Sequence, residues 1–239
     1  MIHITPFLGS LVADALALPG HWYYDRASLA RDYGSLDSYQ HPRNPHPDSI
    51  FWRSSYEALN EKGDILHDQA PFWGVKGIHY HQNLKAGDNT VNFQLAQELF
   101  ALIRKQGAYD QDAWLETYIS CMLTPGWHQD TYLEEYHRGF FTRYSQGKEP
   151  RKCGIRDEHI GGLAQVPALL AALPDHPDPK SLVKQHVALT HRHSNVLRAA
   201  DCLTRLHLRL REGVTIRDAI MTEAGDWFSS RKAAKREHR

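Results

Sequence analysis

Gly87-Asp88-Asn89-Thr90-Val91-Asn92-Phe93-Gln94-Leu95-Ala96-Gln97-Glu98-Leu99-Phe100-Ala101-Leu102-Ile103-Arg104-Lys105-Gln106-Gly107 opens on a glycine turn and then keeps one period to its end. Val91, Leu95, Leu99 and Leu102, joined by Ala96 and Ile103, recur at three- and four-residue steps, which puts them on one face of a helix. Gly107 is the stop expected just past a last helical turn. The same period recurs on both sides of this stretch, and alternation of period two is weak throughout. The reading is therefore an all-α protein.

Downstream, Asp110 can cap a helix through Met122 that Pro125-Gly126 breaks. Asp130 can cap a third, with Leu133, Tyr136, Phe140 and Phe141 as its apolar members and Gly147 as its stop. Ile160–Leu173 is small and apolar enough for a central helix, with Pro167 either kinking it or lying near its start. Asp178-Pro179 opens a helix to Leu189, Ser194 opens the longest, ending at Gly213, and Thr215 begins a last one that runs into the basic tail Arg231–Arg239. Upstream, Thr5-Pro6 has the form of a cap followed by proline, and Pro19-Gly20 closes that helix. Residues 33–87 differ: glycine, proline, histidine and aromatics dominate, and only Ser54–Lys62 suggests a short helix. Long loops inside a compact domain usually carry function, so pocket walls are expected there. No linker or fixed-period repeat divides the chain, so residues 1–239 read as one domain.

Lys+Arg and Asp+Glu both number 28 among 239 residues, giving a formal net charge of zero. Such a balance lacks the electrostatic drive of a general nucleic-acid or anionic-membrane binder, so neither is expected as a partner. No apolar run reaches the ~18–20 residues of a membrane span, and Met1–Pro6 lacks the basic start of a signal peptide. Cys121, Cys153 and Cys202 are odd in number and widely spaced, which fits reduced thiols in a cytoplasmic protein. The 16 histidines are an unusual number, and P-loop, GxSxG and HExxH patterns are absent.

Four places can carry chemistry. Asp14 interrupts a helix of small and apolar residues and needs a partner if buried, as a structural carboxylate or as part of a site. Lys85–Asn92 brings a glycine turn into a helix start, which is either an anion or cation site built from Asp88, Asn89 and Thr90 or a plain N-cap. In Thr190-His191-Arg192-His193, His191 is expected in a pocket, and His193 at a cap or at the surface. His79 and His81 have the spacing of a zinc pair, without recognisable third and fourth ligands.

Taken in order, these pieces resemble the ADP-ribosylglycohydrolase superfamily, which includes the dinitrogenase reductase-activating glycohydrolase and the J1 crystallins. Gly9-xxx-Ala13-Asp14-Ala15-Leu16 is similar to its GxxxGDAxG start, and Ala86–Thr90 falls where it carries a TDDT metal motif. Gly161–Pro167 resembles its GNGxxMRxxP helix, and Leu189–His193 its LTHxH turn. The resemblance implies an orthogonal multi-helix bundle and a hydrolase that cleaves the glycosidic bond of ADP-ribose on a protein side chain or a related compound. Water would attack the anomeric carbon with Mg²⁺ assistance. It implies Asp88 as metal ligand helped by Thr90, and Asp14 and His21 as the catalytic pair, Asp14 orienting water and His21 acting as acid or base. Gly87, Asn89, Asn92, His159, Gly162 and His191 would contact substrate.

The departures from the pattern carry equal weight. Gly87-Asp88-Asn89 stands for the family's TDD, His21 where several relatives have glutamate, and His159 and Ala164 for the Asn and Arg of GNGxxMR. The C-terminal DxDT motif has no counterpart, so the expectation is either a C-terminally incomplete domain, which self-associates through the face left open or has low stability, or a divergent branch that lost the di-metal centre. These losses leave two further readings. One is a silent ADP-ribose-binding or crystallin-like member of the fold; the other is a metal-free nucleoside-type hydrolase working through histidines.

Overall fold

The computed structural model describes residues 4–237, with side chains through Trp227. Among the described residues there are nine α-helices and no strands. They are α1 (Thr5–Ala17), α2 (Arg26–Tyr33), α3 (Val91–Gln106), α4 (Gln111–Leu123), α5 (Glu135–Ser145), α6 (Val166–Ala172), α7 (Pro179–Val187), α8 (Ser194–Arg211) and α9 (Ile216–Glu237).

Helix α3 is the centre. Its apolar face buries Val91, Leu95, Ala96, Leu99 and Ile103, and Gly107 ends it in the left-handed conformation that glycine adopts without steric cost. This face meets α6 most extensively, and α4 also packs on it. One aliphatic and aromatic core then runs through Tyr118 of α4, Phe140 and Phe141 of α5, Leu169 of α6, Val183 of α7 and Val196 of α8. Asp110 and Asp178 cap α4 and α7 as expected, each accepting a backbone N–H three residues on. Pro167 lies in the first turn of α6, so it starts the helix and leaves it unkinked. His193 accepts from Asn195 N–H and caps the start of α8. The tail Arg231–Arg239 lies outside the described side chains. No helix among the described residues is long and apolar enough to cross a membrane.

Four expectations are corrected. Thr5 lies inside α1, which starts without a side-chain cap. Ser54–Lys62 forms no α-helix: short 3-10 turns at Phe51–Arg53 and Glu61–Gly63 flank an extended stretch, because the Asn60 side chain turns back onto Lys62 N–H. Helix α2 was not expected, yet Asp25 caps it by accepting from Ala27 and Ser28 N–H. Asp130 does not cap α5, whose first residue is Glu135, because its carboxylate is committed to the start of α3. In addition, α9 rather than α8 is the longest helix.

Residues 34–90 hold together differently. They contain no α-helix, and beside the buried Ile65, Leu66 and Leu84 their rings stack: Tyr23 on His46 at 4.5 Å, His46 on His79 at 4.9 Å, Tyr80 on Tyr132 at 4.8 Å and Trp73 on Tyr132 at 5.1 Å between centroids. Aromatic rings bury large apolar area while their polar tips bond to nearby backbone, which suits a segment whose only helical hydrogen bonds are in short 3-10 turns.

Candidate functional site

A cleft of about 490 Å³ opens where the looped segment meets the helical half. That is room for a small nucleotide-sized ligand. Its floor is the start of α3, where a helix leaves its first backbone N–H groups without partners inside the helix. Two carboxylates from elsewhere supply those partners. Asp14 of α1 accepts from Thr90 N–H at 2.8 Å, Thr90 Oγ1–H at 2.9 Å and the Asn89 amide at 3.0 Å. Asp130 accepts from Val91 N–H at 2.6 Å. Burial raises the Asp14 pKa, while these bonds pull against that rise.

One wall is a chain of side chains. The His21 Nδ1 lies 3.0 Å from His81 Nε2, and His81 Nδ1 makes a very short hydrogen bond to Asp130. Burial pushes the His21 pKa down to about 3, so its ring is neutral at physiological pH. Next to it, Trp22 sits at φ 64°, in the left-handed region that a bulky residue rarely enters, and its ring leans on Tyr80 and Tyr132. That contact fixes the indole as part of the cleft wall.

The facing wall carries Glu134, just before α5. Asn92 orients it. The Asn92 Oδ1 accepts from Tyr136 O–H and from His137 Nε2–H, which leaves its Nδ2 to donate to Glu134 Oε2 at 2.7 Å. Burial raises the Glu134 pKa, the direction required of a carboxyl that donates a proton. Gly161 lines the cleft, and Gly162 is buried beside it against His191. A Cβ on Gly161 would meet the Glu134 carboxylate at 2.2 Å, and one on Gly162 the His191 ring at 2.3 Å.

Asp14, His21, Thr90 and Asn92 therefore come together in one cleft. The others do not line it. Gly87 and Asp88 are exposed in the turn before α3, where Asp88 accepts from Lys85 N–H. Asn89 is taken up by Leu11 O and Asp14. His159 is exposed and paired with Asp157. His191 lies one layer below, fully buried, its Nε2 3.9 Å from Asp157 Oδ2, and burial lowers its pKa to about 4. The zinc pair does not form. His79 accepts from His81 N–H and contacts Pro19 O, and His81 is held between His21 and Asp130.

The residues at the α3 start do not suit Mg²⁺. A hard divalent cation wants several charged oxygens free to turn towards it. Both oxygens of Asp14 and both of Asp130 already accept hydrogen bonds, and Asp88 faces its own exposed turn. Among the described residues, no group of three or more His, Cys, Asp or Glu side chains is placed to hold a metal ion.

Sequence reasoning missed Glu134, Asp130, Trp22 and the part His81 plays. Glu134 stands in no motif. Asp130 was visible as a capping residue, but its helix lies 39 positions upstream of it in the chain. The family model described as ADP-ribosylglycohydrolase matches residues 6–237. No curated protein matches the chain.

Proposed function

We propose, from the premise that this chain belongs to the ADP-ribosylglycohydrolase family, that its cleft hydrolyses the glycosidic bond of an ADP-ribosyl compound. The observation that carries the reading is the convergence of Glu134, held by Asn92, and His21, neutral and half-buried, on one cleft. Cleavage at an anomeric carbon needs a proton for the leaving group and a partner that activates water. Glu134 meets the first need through its raised pKa, and the cleft's aromatic flank of Trp22 and Tyr132 offers rings to a planar group. The protonated Glu134 carboxyl gives its proton to the departing oxygen or nitrogen as the C–O or C–N bond breaks, while water adds to the anomeric carbon. No step needs a metal at Asp88.

Release of free ADP-ribose from ADP-ribosylated arginine and serine peptides tests this. Turnover by the wild-type chain that falls at least a hundredfold in Glu134→Gln, with ADP-ribose binding retained, is the expected result. A second reading, an ADP-ribose binder without turnover, draws on the saturated carboxylates at the α3 start. It predicts tight ADP-ribose binding, no release from any peptide and no effect of Glu134→Gln beyond affinity.

A further inference from the structure

We propose that Asp130, His81 and His21 form a directional hydrogen-bond chain that fixes the tautomer of both histidines and leaves His21 Nε2 as an unprotonated general base in the cleft. The Asp130 carboxylate can only accept, and its Oδ2 already takes Val91 N–H. The proton between Asp130 Oδ1 and His81 Nδ1 therefore belongs to His81. Where His81 carries only that proton, its Nε2 accepts and the 3.0 Å contact takes its proton from His21 Nδ1; a doubly protonated His81 would donate instead and leave the His21 proton on Nε2, the outcome that overturns the chain. The singly protonated His81 leaves the lone pair on His21 Nε2. His21 lines the cleft, and its Nε2 is neither bonded to the protein nor sealed from solvent.

The chain has the logic of a carboxylate that orients a histidine base, extended by one ring. Its step balances. Water gives a proton to His21 Nε2, and its oxygen bonds to the anomeric carbon. The glycosidic bond's electron pair leaves with the departing group, which takes the Glu134 proton. His21 is the catalytic residue of the three, and His81 and Asp130 position it. This assignment rests on the hydrolytic reading of the cleft, but the tautomers can be read without turnover.

Asp130→Asn makes the chain reversible by design. The Asn carbonyl can still accept Val91 N–H, while its NH₂ faces His81 Nδ1 and forces that nitrogen to accept. His81 then donates from Nε2, His21 Nδ1 accepts, and the proton moves to His21 Nε2. Long-range ¹⁵N–¹H spectra of the full chain, with His21 assigned by its loss in His21→Gln, report both states. The wild type is expected to show His21 protonated at Nδ1 and bare at Nε2, with the reverse in Asp130→Asn. Diethyl pyrocarbonate, which attacks an unprotonated exposed imidazole nitrogen, is expected to modify His21 faster in the wild type than in the variant. A proton on wild-type His21 Nε2, or tautomers unmoved by Asp130→Asn, overturns the chain; the wild-type spectrum decides this even where the variant folds poorly. On ADP-ribosylated peptides, Asp130→Asn is expected to lower kcat by about 10²–10⁴-fold with little change in KM. An unchanged kcat with inverted tautomers overturns the base assignment. The expected tautomers with no hydrolysis of any ADP-ribosyl compound overturn the hydrolytic reading and leave the chain standing.

Discussion

The helical half and residues 34–90 solve the same packing problem with different chemistry. Around α3 the interior is mostly leucine, valine and phenylalanine, with Trp114 and Tyr118 packed among them, and backbone polar groups are satisfied largely within helices. In the looped segment stacked tyrosine, tryptophan and histidine join Phe51, Ile65, Leu66 and Leu84 in the interior, and two of the rings bond to loop backbone. Tyr80 O–H takes Ile50 N–H, and Trp73 Nε1–H reaches Ser54 O. The first arrangement yields fixed rims; the second places polar groups at angles that no helix face offers. The cleft lies on the seam, with Thr90, Asn92 and Glu134 presented from helix starts and His21, Trp22 and His81 from loops.

The largest effect that can test this contrast is acid. His79, His186 and His191 are buried and held neutral by desolvation, with pKa values lowered to about 2, 3 and 4. The unfolded chain takes protons at an ordinary histidine pKa of about 6.5, so below that pH it binds more protons than the fold does. The resulting stability is complete above about pH 6.5 and is lost as pH falls, at roughly 1.4 kcal/mol per pH unit for each histidine, down to about 4 for His191, 3 for His186 and 2 for His79. Thermal melts should fall steeply between pH 6.5 and 5, and a flat profile there would contradict neutral burial.

Next comes Leu99→Ala on α3, expected to cost about 3–5 kcal/mol in a denaturant titration because the site is closed on all sides by the core. A cost below about 1 kcal/mol would mean that the helical half is not tightly packed. Gly162→Ala pushes a methyl group into the buried His191 ring and should cost about 1–3 kcal/mol, measured in the same way. Asp88→Ala is the smallest. Its side chain serves an exposed turn, so stability should change by no more than about 0.5 kcal/mol and ADP-ribose affinity not at all.

Much of the helical half was legible because apolar period, capping aspartates and stop glycines are local signals. Those marks fixed α3, α4, α7 and α8 to within a few residues. What escaped was tertiary. Asp130 carries the mark of a cap but serves α3, and the reach from residue 130 to Val91 leaves no trace in local spacing. Asp88 and Asn89 have the residue types of a metal loop, yet the turn points one to solvent and ties the other to Leu11 and Asp14. Glu134 had no motif to reveal it, since its position depends on Asn92, Tyr136 and His137 together. Helix α2 was missed although Asp25 marks its start, because its eight residues bury only Ser28 and Tyr33 and so show little period.

The most direct test of the account is release of ADP-ribose from ADP-ribosylated peptides by the full chain, measured in EDTA and in Mg²⁺, for wild type, Glu134→Gln and Asp88→Ala. The account predicts turnover that survives EDTA, persists in Asp88→Ala and is lost in Glu134→Gln. Turnover that requires Mg²⁺ and disappears in Asp88→Ala while Glu134→Gln retains it would contradict the account and return the chemistry to the turn before α3.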